Sequence, residues 1–139
     1  MNKAVAIRHL MTTPVRTVQF DAHVSEVHAL LRDASFHHVP VCKGDVLVGI
    51  LGVVDIARVS LEAYVADEGT VDAHLDAAFC IEQVMTPEPR TLRPSDTLIH
   101  AIELFADGGF HALPVVDDAG KVLGMVTTTD VLRFLHASL

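Results

Sequence analysis

The chain has 139 residues, half of them hydrophobic, and carries a formal net charge of −8 from 10 Lys and Arg against 18 Asp and Glu. That apolar content predicts a packed globular protein and excludes a disordered tail. The acidic balance speaks against a nucleic-acid backbone as partner, because such binding is dominated by Lys and Arg neutralising phosphates. No apolar run approaches the ~18 residues of a membrane span. Met1 to Leu10 also lacks the apolar centre of a signal peptide, so the expected setting is the cytoplasm, with no membrane partner. Cys42 and Cys80 share no CxxC spacing and are expected to be buried free thiols.

In chain order, the first recognisable segment is Leu10-Met11-Thr12-Thr13-Pro14, with a short strand expected around Val15 to Val18. Val24, Val27, His28 and Leu31 then recur at i, i+3, i+4 and i+7, the spacing of one amphipathic helix, with Asp21 as its candidate N-cap. Phe36-His37-His38 leads into a strand from Val39 to Cys42, a turn at Lys43-Gly44-Asp45 and a second strand from Val46 to Leu51. A helix follows near Val54 to Val65. Asp67-Glu68-Gly69-Thr70 reads as a solvated loop and Val71 to Phe79 as a short linking helix.

From there the chain says nearly the same thing again. Val84-Met85-Thr86-Pro87 answers the opening segment at an offset of 74, ahead of a strand expected at Arg90 to Leu92. Leu98, Ala101, Ile102 and Phe105 mark the second amphipathic helix, with Ser95 as candidate cap and Gly108-Gly109 as a left-handed end. Phe110-His111-Ala112-Leu113-Pro114-Val115 matches Phe36 to Val41 at the same offset. After the turn Asp117-Asp118-Ala119-Gly120, the run Gly124 to Val131 matches Gly49 to Ile56 at an offset of 75. It enters a helix near Thr129 to His136, expected to be capped by Thr128 or Thr129. Each repeat therefore reads as β-α-β-β-α. The predicted fold is α+β, with a first repeat over 1–65, a linker over 66–80 and a second repeat over 81–139. Packing about a pseudo-two-fold axis would let two repeats with small cores cover each other's open sheet faces.

Three features, in order and twice over, carry a family resemblance: the Met-Thr-Pro opening, the His-x-(Val/Leu)-Pro-Val strand at His37 to Val41 and His111 to Val115, and the ending at Gly124 to Val131, matched by Gly49 to Ile56 with Gly52 in place of the Thr. In these the chain resembles the CBS domain family, named after cystathionine β-synthase, over about residues 7 to 58 and 81 to 135. The resemblance implies a two-repeat Bateman module, commonly dimerising into a disc, that binds adenosine-containing molecules in clefts between the repeats. It implies no cofactor, but a regulatory ligand such as AMP, ADP or ATP, and a regulated protein that reads the signal.

The residues supply a chemical reason. A carboxylate at the start of a helix, as expected of Asp55 and Asp130, can accept hydrogen bonds from both ribose hydroxyls, and Thr127 and Thr129 add hydroxyls beside Asp130. Either Asp could instead serve only as a helix cap. By the resemblance, adenine would lie against an opening segment, which includes Thr13 and Val15, and against Phe36 or Phe110. Phosphate would meet His37 and His38 in one repeat and His111 in the other, where related proteins often carry His-Arg. Contact through these histidines would make affinity rise on mild acidification.

One cleft is expected to gather Thr127, Thr129 and Asp130 with Met11 to Val15 and Phe36. The other would gather Gly52, Val54 and Asp55 with Met85 to Pro89 and Phe110. The first, with its hydroxyls, should be the tighter. Arg58 and Arg133, three residues after each Asp, would pair on the helix surface or reach a phosphate. Leu30, Leu104, Ile56 and Val131 are expected to offer apolar surface to a homodimer. A ligand-free dimerisation module is the alternative. A nucleotide-hydrolysing enzyme is disfavoured because no nucleophile and base share a recognisable spacing, and no His spacing suggests a metal.

Overall fold

The computed structural model describes residues 4–33, 37–66 and 71–139. The elements are a 3-10 turn at Ile7–His9, β1 (Val18–Gln19), α1 (Val24–Asp33), β2 (His38–Lys43), β3 (Val46–Gly52), α2 (Val53–Ala66) and α3 (Val71–Ala78), followed by α4 (Ile81–Val84), β4 (Thr86–Pro87), α5 (Leu98–Gly108), β5 (Ala112–Val116), β6 (Val122–Thr127) and α6 (Thr128–Ser138). The fold is α+β. Its compact units are cut differently from the repeats in the sequence: one is Arg16–Pro89, the other joins Met1–Val15 to Arg90–Leu139. Each unit therefore unites the helices and hairpin of one repeat with the opening segment of the other.

In the Arg16–Pro89 unit the sheet order is β1-β2-β3-β4. β1 runs parallel to β2 through Val18↔Val41. β2 and β3 form the hairpin, turning through Gly44 at φ 63, a conformation that glycine adopts without steric penalty. β4 adds antiparallel to β3 through Gly49↔Pro87 and Ile50↔Thr86. Val24, Val27 and Leu31 share one face of α1 because of their helical spacing, and that face covers Val39, Val41 and Leu51 of the sheet. Ile56 and Val59 of α2, Leu75 of α3 and Ile81 and Val84 of α4 complete the core. Burying each such side chain contributes roughly 1.5–3 kcal/mol.

The linking helix α3 is fastened to α1 by polar contacts as well. Asp76 accepts hydrogen bonds from the Ser25 N–H at 2.9 Å and the Ser25 hydroxyl at 2.6 Å, and Asp72 meets Nδ1 of His28 at 2.8 Å. Because α1 begins at Val24, its cap position is His23 and Asp21 stands two residues too early, and Asp76 serves its first turn from outside. Cys42 is buried in β2, where burial above all, and then the charge of Asp45, pushes its thiol up despite a hydrogen bond with Thr17. Cys80 corrects the expectation of two buried thiols: it is exposed just ahead of α4, outside the apolar face that Ile81 and Val84 bury.

The other unit is built on the β5–β6 hairpin. A parallel bridge Leu92↔Val115 and an antiparallel bridge Thr12↔Met125 stand where β1 and β4 flank the first hairpin. The opening segment is held by the N–H of Ile7 donating to the Asp96 carbonyl and that of Leu98 to the Val5 carbonyl, both at 2.8 Å. Ile7 is fully buried among Leu92, Leu98, Ala101, Leu113, Val115, Val126 and Val131. Its counterpart Ile81, at an offset of 74, is equally buried in the other unit.

Two further caps differ from expectation. Thr97 caps α5, accepting from the His100 N–H at 3.3 Å, because the helix starts at Leu98, and Ser95 lies outside it. Thr127 caps α6 while Thr128 and Thr129 lie within its first turn. Gly109, at φ 70, ends α5 in the left-handed conformation. Ile56 and Val131 belong to the cores of their own units and leave no surface for a dimer. Among the described residues, the exposed large apolar side chains of these helices are instead Val53, Val54 and Leu61 on α2 and Leu132 on α6.

Candidate ligand site at two equivalent carboxylates

β6 passes directly into α6, so the last strand residue, Thr127, is also the helix cap. Its hydroxyl accepts from the Asp130 N–H at 3.1 Å, and Oδ2 of Asp130 accepts from the Thr127 N–H at 2.9 Å. This reciprocal pair fixes the carboxylate at the start of the helix. From the opening segment, Oγ1 of Thr12 lies 3.4 Å from both carboxylate oxygens. Thr12 is held there by its backbone, which exchanges hydrogen bonds of 2.8 and 3.0 Å with Met125. The approach depends on Gly124: a Cβ at that position would lie 2.7 Å from the Thr12 carbonyl oxygen and 2.9 Å from Sδ of Met11.

The other candidate residues of the opening segment and of the second repeat are placed as follows, with Phe36, expected beside Asp130, and Phe110, expected beside Asp55. Thr13 belongs to the same unit, but its hydroxyl donates to the Leu123 carbonyl at 2.8 Å, so within the expected segment Met11 to Val15 it is Thr12, not Thr13, that carries the hydroxyl facing the carboxylate. Thr129 is exposed on the first turn of α6, and Val15 is half-buried at the edge of the unit. Phe36 lies outside the described residues. The Phe110 ring lies over Gly108, where an added Cβ would stand 2.0 Å from it, and meets Phe105 edge-on with centroids 6.2 Å apart. His111 is exposed, and its carbonyl accepts the Thr128 N–H at 3.0 Å.

The second carboxylate has the same backbone frame with different side chains. The Val53 N–H donates to the His37 carbonyl at 2.9 Å, and the exposed His37 thereby mirrors His111. Oδ2 of Asp55 accepts from the Gly52 N–H at 2.8 Å, repeating the bond between Thr127 and Asp130. Gly52, however, has no hydroxyl, and the space where its Cβ would stand is approached by the His38 ring at 3.3 Å. Oδ1 of Asp55 accepts from Arg58 at 3.1 Å. Among the described residues Asp130 has no such guanidinium partner. Thr86 occupies the backbone place of Thr12, and Met85 lies over Gly49 as Met11 lies over Gly124.

Either carboxylate can take hydrogen bonds from a diol, and each already serves as a helix-start acceptor. Among the described residues no group of three or more His, Cys, Asp or Glu side chains could hold a metal ion, and no helix is long and apolar enough to cross a membrane.

Comparison with known proteins bears on the family and the fold. The inosine-5'-monophosphate dehydrogenase of Korarchaeum cryptofilum is 29% identical over 134 residues, which is 94% of this chain. The chain spans only 25% of that protein's length. CBSX2 of Arabidopsis thaliana, solved in complex with AMP, superposes with a TM-score of 0.80 at 25% identity, covering 96% of this chain and 97% of that one. The CBS domain pair of protein MJ0100, solved with 5'-methylthioadenosine and S-adenosyl-L-methionine, shares the fold with a TM-score of 0.80 at 23% identity, covering 98% and 99%. The sequence pattern of the CBS domain matches residues 7–62 and 81–137, and the chain belongs to the CBS domain family.

Proposed function

We propose that the chain is a regulatory module that binds an adenosine-containing ligand, such as AMP, ADP or ATP, at Asp130 and performs no chemistry on it. The observation that carries this reading is the convergence of Thr12 and Thr127 on Asp130. Oδ2 is committed to the Thr127 N–H, whereas Oδ1 meets only a long hydroxyl contact among the described residues and keeps lone pairs for a ribose. CBSX2, related at 25% identity along nearly its whole length, was solved with AMP, which supports the ligand class. A carboxylate engaged as cap and diol acceptor is poorly disposed to act as a general base, which weighs against hydrolysis. Regulation then requires that the ligand favour one state of the module over another, a change read by a partner protein. Free thiols and an acidic charge fit a reducing cytoplasmic setting.

The test is equilibrium titration with AMP, ADP, ATP, NADH and S-adenosylmethionine, followed by product analysis. The expected result is binding by at least one adenosine compound, recovered intact. A new product would make the protein an enzyme. If none binds while light scattering gives a dimer, the chain is a ligand-free dimerisation module.

A further inference from the structure

The Asp55 site holds an ion pair where the Asp130 site holds hydroxyls. We propose that this pair makes the Asp55 site selective for phosphorylated ligands, with Arg58 exchanging Asp55 for the phosphate as the ribose takes its place. The inference rests on the reading that these carboxylates bind nucleosides.

Both oxygens of Asp55 are engaged: Oδ2 by the Gly52 N–H at 2.8 Å and Oδ1 by Arg58 at 3.1 Å. A ribose diol that donates hydrogen bonds to both oxygens competes with the guanidinium for Oδ1. A neutral nucleoside offers Arg58 nothing in return, so it binds against the lost ion pair. A phosphate offers a charge-assisted, bidentate partner, for which the planar guanidinium is well shaped. The exchange is easy because the pair lies at the surface, with the Arg58 side chain 63% exposed, and exposed i,i+3 pairs are weakly held. Gly52, with the His38 ring beside it, brings no hydroxyl where the other site has Thr127. Asp130, faced by Thr12 and Thr127, imposes no such condition. The two sites thus read different chemistry: a nucleoside as such at Asp130, and its phosphate at Asp55.

The experiment isolates the second site by titrating Asp130→Ala with adenosine and with AMP, alone and combined with Arg58→Gln or Arg58→Lys. Asp130→Ala should bind AMP about tenfold or more tightly than adenosine, the margin of one charge-assisted contact. Arg58→Gln should bring the ratio near one by weakening AMP and strengthening adenosine, while Arg58→Lys should keep most of the preference. A gain in adenosine affinity cannot come from damage to the fold. The proposal is overturned if Arg58→Gln leaves the ratio unchanged, or if Asp130→Ala binds neither compound. Failure of the unsubstituted protein to bind either would overturn the nucleoside reading itself, and this inference with it.

Discussion

Asp130 and Asp55 occupy the same place in two repeats, on the same strand-to-helix passage and with the same carboxylate-to-backbone bond. They differ in what surrounds them. Thr127 and Thr12 turn hydroxyls toward Asp130, whereas Asp55 has a bare Gly52 on one side and Arg58 on the other. The difference teaches that the repeated backbone fixes where a carboxylate stands, while one or two neighbouring side chains fix what it has left to offer a ligand.

The comparison can be broken most forcefully at the glycines under the opening segments. Gly124→Ala places a methyl 2.7 Å from the Thr12 carbonyl oxygen, so backbone must shift, and overpacking of this kind costs about 1–3 kcal/mol. Gly49→Ala meets Sδ of Met85 first, a flexible group that can turn aside, and the Thr86 carbonyl oxygen at 3.0 Å against 2.7 Å for Thr12, so it should cost less. Urea unfolding of both variants checks the order. A larger loss for Gly49→Ala would contradict the account of how Thr12 is held.

A smaller effect sharpens the same contrast. Thr127→Gly copies Gly52 into the Asp130 site, and replacing a threonine cap by glycine costs only a few tenths of a kcal/mol. Stability should barely change, while ligand affinity should fall severalfold with the loss of one hydroxyl, since a neutral hydrogen bond contributes about 0.5–1.5 kcal/mol. Unchanged affinity in a titration would show that the hydroxyl of Thr127 is only a cap.

Much of this was legible in the residues. The repeat, the two amphipathic helices and both hairpins follow from spacings that survive into the structure, because each apolar stripe finds one core. The caps were less legible: three successive threonines, Thr127 to Thr129, can each cap a helix, and only the end of β6 selects the first. Thr12 and Thr13 are chemically equal in the sequence; the antiparallel bridge with Met125 decides which hydroxyl faces the carboxylate. Ile7 and Ile81 carried no periodic signal, since each anchors a short opening segment in the core built on the other repeat. Ile56 and Val131 were assigned to a surface because a helix with apolar residues on several sides does not reveal which side its own sheet covers.

The central claim, that Asp130 forms the tighter site, is tested most directly by comparing Asp130→Ala with Asp55→Ala in calorimetric titrations with AMP. Asp130→Ala should lower the affinity of the tighter site by about tenfold or more, the loss expected from removing a charged acceptor of ribose hydrogen bonds, while Asp55→Ala should leave that site unchanged. The reverse order, or equal losses from both substitutions, would contradict the account.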